Sequence, residues 1–493
     1  MLILTETNLP AQELNFLTSP HAPLETLGGT AALLIGGVIG LLIRRSALAM
    51  GITVGFSLLG AVLGFYYAFQ QPVPASLLFS MAFGGGMYSF FTGVVGILSA
   101  LGVLFLYRHE RLLSAQSGVG DSYRFAREGY ALILWAAGSV SLVGASNHLL
   151  LSLVALETVT FALIVLVGYH WANTHAPEAA IKYLLLSGVA TAILVYGLSY
   201  LYGITGTLYL HTLKLVDWKV WQGHLMYRLA LGLILVGLLF KLSIFPLHWW
   251  APDVYGGAVP GAAGVAVAFG KVAAAFFLGK VLHVVGLAPE WQIVLAFLAG
   301  ASALYGNLLA IRQTSLQRLL GYSSIAHGGY LLLGLISGAE GLLQGWAYAL
   351  AYGLMSLLAF GLFSLDGSPV EIDRLRGVGY ERPGYGAALA LSLAALSGMP
   401  PLMGFLAKYG VFVTAFRSGF LLPALIGLLG ALIGYYAYWK PIATLYQVGE
   451  SRLVAPLPVL SVSVLLLLLV GILPVLLWGW LDYLYGIAGY FGR

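Results

Sequence analysis

Between residues 25 and 483 the sequence is a succession of apolar runs, most about twenty residues long, and that repetition constrains the fold more than any other feature. At about 1.5 Å of rise per residue, such a run crosses the hydrocarbon core of a bilayer as one helix. In lipid the helix keeps every backbone hydrogen bond internal. The expectation is an all-α polytopic membrane protein of about fourteen transmembrane helices. The windows fall near 25–43, 46–70, 75–106, 129–146, 148–169, 177–203, 226–250, 258–285, 290–310, 316–337, 341–365, 384–418, 420–446 and 455–483. Two of them, 75–106 and 384–418, are too long for one straight crossing and must tilt, break or extend beyond the bilayer.

The basic residues give an independent reading of this order. With an even number of spans, one set of loops collects Arg44, Arg45, Arg108, Arg111, Arg124, Arg127, Arg312, Arg318, Arg374, Arg376, Arg382, Lys440 and Arg452, and the other only Lys214, Lys219, Arg228, Arg417 and Arg493. Cytoplasmic loops carry the excess of Lys and Arg. Both termini are therefore expected on the outer side of the membrane. The net charge of +5 is spread thinly between apolar runs and forms no nucleic-acid patch. With no cysteine, the chain offers no thiolate ligands for an iron–sulfur cluster or zinc. Glycine is abundant and reads as helix packing.

Against only 8% charged residues, four ionisable side chains fall at membrane depth: Glu157, Lys241, Lys271 and Lys408. Each costs about 2.5–3.5 kcal/mol at a helix centre, so they must be paired or hydrated. Glu157 has no cation within a turn of its own helix, and its partner must come from another. Lys241 precedes Pro246, expected to break the helix five residues on. Lys408 follows a second interruption at Pro400 and Pro401. Broken helices at this depth line hydrated cavities and ion sites. Desolvation lowers a lysine's proton affinity and a nearby carboxylate raises it, so such lysines form adjustable proton sites. His327 is a candidate relay, weighed against a static histidine bonded to a carbonyl. Lys182, near a helix end, is a candidate uptake residue. His248 with Asp253 is too small a set for a metal.

These residues resemble a known family, the antiporter-like membrane subunits of respiratory complex I, and within it the N type. The resemblance rests on Phe240 to Tyr255, Leu319 to His327, Gly398 to Phe405 with Lys408, Glu178 to Tyr183, and Glu157, over roughly residues 128–446. It implies two inverted five-helix repeats, each with one broken helix: 1–127 as a tail with three peripheral helices, 128–285 and 286–446 as the repeats, and 447–493 as a last helix. It implies that Glu157 modulates Lys241, that Lys271 is the central relay, and that Lys408 exchanges protons toward the outside, with His327, Lys182 and His248 as relay or uptake residues. The implied activity is proton translocation as a subunit of an NADH-quinone oxidoreductase. No cofactor is expected in this chain; NADH, FMN, iron–sulfur clusters and quinone are expected in partner subunits, alongside other membrane-arm subunits and lipid. An Mrp-type cation/proton antiporter subunit, or a membrane subunit of a hydrogenase-linked complex, is the alternative. A purely structural membrane-arm role, with ion pairs that only specify packing, is a third reading.

Overall fold

Among residues 27–43, 46–70, 86–117, 126–169, 175–363 and 371–449, which the computed structural model describes, the apolar runs fold as helices. In chain order these are α1 (Gly28–Leu42), α2 (Ser46–Gln70), α3 (Gly86–Ser117), α4 (Ala126–Ala145), α5 (Leu149–Gly168), α6 (His175–Thr205) and the interrupted pair α7 (Leu225–Lys241) and α8 (Trp250–Gly257). Next come α9 (Pro260–Val284), α10 (Pro289–Ile311), α11 (Leu316–Leu335) and α12 (Gly338–Phe363). A second interrupted pair, α13 (Pro383–Ser397) and α14 (Met403–Arg417), leads to α15 (Leu421–Leu445). Proline opens α9, α10 and α13, where its missing N–H would have had no intrahelical partner.

Nine helices among the described residues are long and apolar enough to cross a membrane, against the fourteen spans expected. The difference has physical causes. The first helix, α1, has only 15 residues, and the half-helices α7, α13 and α14 have 17, 15 and 15 because their spans are interrupted at depth. The helix α11 carries Gln317, Ser323, Ser324 and His327 within its 20 residues, which dilutes its apolar character. The expected span 455–483 and the N-terminal tail lie outside the described residues. So do residues 71–85, and the helix expected over 75–106 is described from Gly86 and runs to Ser117, into the region expected as an inner loop.

The core is built around α9 and α12, which are buried on nearly every side. A helix apolar all round belongs in an interior. By contrast α2, α6 and α15 expose much of their apolar surface, as helices facing lipid do. The ends of α10 define two opposite faces. At its start, the α9–α10 turn accepts Tyr227 at Gly286 O, next to the start of α7. At its end, the α10–α11 turn bonds the segment before α13 through Ile372 N–H to Thr314 O at 2.9 Å. The half-helices α7 and α13 therefore enter from opposite faces and stop in the interior.

Candidate functional site

The helix α7 ends at Lys241, earlier than the break expected at Pro246. The residue before a proline already disfavours the helical region, but the chain turns sooner still. Ser243 takes φ 51°, a left-handed conformation that costs a non-glycine residue roughly 1–2 kcal/mol. The Phe245–Pro246 bond is cis, and Phe245 N–H donates to Ser302 Oγ at 2.9 Å. Lys241 is buried here. Its Nζ donates to Thr160 Oγ1 at 3.0 Å and Ser187 Oγ at 3.2 Å. Glu157 Oε1 lies 2.9 Å from the same nitrogen, at ion-pair distance but off its best hydrogen-bond directions. The partner of Glu157 does come from another helix.

Lys271, on α9, is fully buried. Its Nζ donates to Leu242 O, Ser243 Oγ and Ser324 O, three neutral acceptors. Two of them exist because α7 stops at Lys241: the break frees a carbonyl and turns a serine inward. The third comes from α11. Gly328 makes the meeting sterically feasible, since a Cβ there would lie 2.6 Å from Leu242 O and 3.2 Å from Lys271 Nζ.

The second interruption repeats the device. The helix α13 ends at Ser397, before Pro400 and Pro401, with Gly398 at φ 91° and the Pro400–Pro401 bond cis. Lys408 of α14 donates to Leu396 O at 3.0 Å and Ser397 O at 2.7 Å. So each half-helix ends in the interior with bare carbonyls, and a lysine from another element closes them: Lys271 for α7, Lys408 for α13. A helix C-terminus is the negative end of the macrodipole and favours a cation. These carbonyls set partial negative charge against the two lysines, where Glu157 sets a full carboxylate against Lys241.

His327 lies in α11 between these sites, 1% exposed. Both ring nitrogens meet hydroxyls: Nδ1 and Tyr348 OH at 2.7 Å, Nε2 and Tyr438 OH at 3.1 Å. The ring is also bonded to the backbone of Leu396, so a carbonyl contact stands beside the two hydroxyls. Lys182 is half exposed, paired with Glu178 at 2.8 Å and Asp253 at 3.5 Å, and Asp253 also meets Arg318 at 3.4 Å. His248 packs between the rings of Phe245 and Tyr305, away from that carboxylate. No group of three metal-ligating side chains occurs among the described residues.

Sequence reasoning missed Lys280, five residues before the end of its expected window 258–285. It is buried on α9 and donates to Val143 O and, at 2.7 Å, to Ser146 O, at the end of α4. Nine residues separate it from Lys271, about two and a half turns, so the two point to opposite sides of the helix.

The family model described as "NADH:quinone oxidoreductase/Mrp antiporter, TM" matches residues 146–434, a stretch holding every residue named in the two lysine sites. A curated relative from Geotalea uraniireducens, named NADH-quinone oxidoreductase subunit N, is 34% identical over 475 residues, covering 92% of this chain and 95% of the relative. A chain in the structure of respiratory complex I from Thermus thermophilus with bound aureothin is 33% identical with a TM-score of 0.69, covering 90% of this chain and 96% of that one. A chain of the Mrp complex from Dietzia sp. DQ12-45-1b shares the fold, with a TM-score of 0.71 at 21% identity. The chain belongs to the NADH:quinone oxidoreductase/Mrp antiporter transmembrane family, among relatives named subunit N.

Proposed function

We propose that this chain is a proton-translocating membrane subunit of an NADH:quinone oxidoreductase assembly, carrying protons along Glu157, Lys241, Lys271, His327 and Lys408. One observation carries the reading: Leu242, the residue after Lys241, offers its carbonyl to Lys271, so the two buried ammonium groups adjoin the same break in α7. The carboxylate of Glu157 balances the ammonium of Lys241, and lengthening that pair loosens the hold of Lys241 on its proton. Lys271, held by neutral acceptors alone, is the receiving site. The chemistry is proton transfer between positioned bases, and no bond between heavier atoms forms or breaks.

The names of the relatives support partner subunits of a respiratory membrane complex, in which NADH, FMN, iron–sulfur clusters and quinone would reside. The two half-helices entering from opposite faces support an inverted pair of five-helix repeats, over 128–285 and 286–446, within a fourteen-span chain. The face holding Arg312, Arg318, Arg374, Arg376 and Arg382 is assigned to the inside by its positive charge. Lys182, with Asp253 and Arg318, then marks the inner approach to Lys241, with His248 and Pro246 in the wall of the break; Lys408, beside Pro400 and Pro401, faces the outward route. Both termini lie outside in a prokaryotic inner membrane.

The test is Lys241→Met in the assembled complex, with proton uptake per NADH measured in inverted vesicles. Pumping should fall severalfold while NADH-to-ferricyanide activity, which reports assembly, persists. Full pumping would end the assignment of Lys241, and a sodium-dependent stoichiometry would favour a cation/proton antiporter instead.

A further inference from the structure

The hydroxyls around His327 are an arrangement that the lysine line does not require. The imidazole lies between Tyr348 of α12 on one nitrogen and Tyr438 of α15 on the other. Tyr438 OH in turn meets Ser323 Oγ, one residue from Ser324, whose carbonyl holds Lys271. On the far side, Tyr348 adjoins the ring of Tyr330, over which Lys408 Nζ sits at 5.3 Å. Both tyrosines hydrogen-bonded to the imidazole are fully buried. Carbonyls and carboxylates fix a histidine's tautomer because they only accept. A phenol both donates and accepts, so neither of these two hydrogen bonds fixes the tautomer of His327, and both can reverse direction together.

We infer that Tyr438 and Tyr348 pass the proton to and from His327, and that Tyr352 makes this relay a valve. This rests on the reading of the chain as a proton-translocating subunit. The transfer balances as follows. Ser323 takes a proton that starts on the ammonium of Lys271 and gives its own to Tyr438, Tyr438 gives its phenolic proton to Nε2, the Nδ1 proton passes to Tyr348, and the proton of Tyr348 ends on Lys408, which must then be the neutral amine. One proton enters, one leaves, and no charge stays behind. The imidazole is then in its other tautomer, with Nε2 occupied. A second proton in the same direction requires the ring to turn over or the clamp to open. Tyr352 lies flat on one face of that ring, centroids 4.4 Å apart at 20°, and so opposes its turning. The chain of hydroxyls therefore passes one proton and waits until α12 or α15 moves. That wait opposes back-leak down the proton gradient.

The experiment uses the whole complex in sealed vesicles and reads two quantities, protons pumped per NADH and the decay of an imposed pH gradient without NADH. Tyr438→Phe and Tyr348→Phe each remove one oxygen and keep the ring, and each should cut pumping severalfold with no faster decay. Tyr352→Leu frees the imidazole and should accelerate the decay severalfold. A packing role alone gives no reason for opposite signatures from neighbouring tyrosines. If a phenylalanine variant fails to assemble, Ser323→Ala, which removes the far hydroxyl and no ring, carries the same expectation. Parental pumping in both phenylalanine variants, with pumping lost in Lys241→Met, overturns this inference alone. An unchanged decay in Tyr352→Leu overturns the valve. Pumping retained in Lys241→Met overturns the underlying reading as well.

Discussion

The carbonyl of Leu242 accepts a hydrogen bond from Nζ of Lys271, and Leu242 is the residue that follows Lys241. A lysine on one helix thus closes the end of another, beside a second lysine whose charge is balanced by Glu157. Any shift of the α7 end alters both cations together. The same construction at Leu396, Ser397 and Lys408 places a third lysine on the end of α13.

Glu157→Gln removes the negative partner of Lys241 and leaves it two hydroxyls. Losing one member of a buried pair costs about 3–5 kcal/mol, and the partial exposure of Glu157 reduces that here, to roughly 2–3. We expect slower pumping and a lower midpoint of thermal inactivation in the assembled complex. Thr160→Val, which deletes one hydroxyl at constant shape, should slow pumping less and leave assembly intact.

Gly328→Ala would place a methyl group 2.6 Å from Leu242 O. Overpacking of this kind costs about 1–3 kcal/mol. The carbonyl has to retreat from Lys271, so proton uptake per NADH should drop about tenfold with assembly largely retained. Parallel measurement of quinone reduction separates this from a general loss of complex.

Lys280→Met tests the other lysine of α9. Two carbonyls at the end of α4 lose their donor, each such loss being about 1–3 kcal/mol. Thermal stability should fall, whereas the pumping stoichiometry should stay parental, because Lys280 faces half a turn away from Lys271. A lowered stoichiometry at intact assembly would place Lys280 on the proton path.

Glu110→Gln should change the pH dependence of stability. Glu110 lies beyond the apolar window of α3, buried, accepting from Tyr130 OH at 3.2 Å. Burial above all holds its carboxyl up at about 8, with Tyr169 and Tyr130 opposing and Glu128 adding. The folded state keeps a proton that the unfolded chain loses near 4.5. Its contribution is thus fully present below that pH and lost as pH rises to about 8. In the glutamine variant, thermal midpoints measured across that window should lose this part of their slope.

The all-α class, the positions of most helices and the need of Glu157, Lys241, Lys271 and Lys408 for partners could be read from local features. A twenty-residue apolar run, or a lysine within one, has a fixed cost in lipid wherever the chain folds. Spacing also required that Glu157 find its cation on another helix, though it did not say which. Less legible were the break itself, which begins at Leu242 instead of Pro246, and the depth of Lys280, which a position near a helix end disguised. The window 316–337 does fold as α11 (Leu316–Leu335), although Gln317, Ser323, Ser324 and His327 dilute its apolar character.

By itself the sequence determined where helices form, which of them proline interrupts, and which side chains cannot remain unpaired, since these follow from local composition and the solvent properties of a bilayer. Only the tertiary structure decided who pairs with whom. Lys271 meets Leu242 O and Ser324 O across 29 and 53 residues of chain, and His327 meets Tyr438 across 111. Such contacts depend on the rotation and crossing of packed helices, which no local pattern encodes.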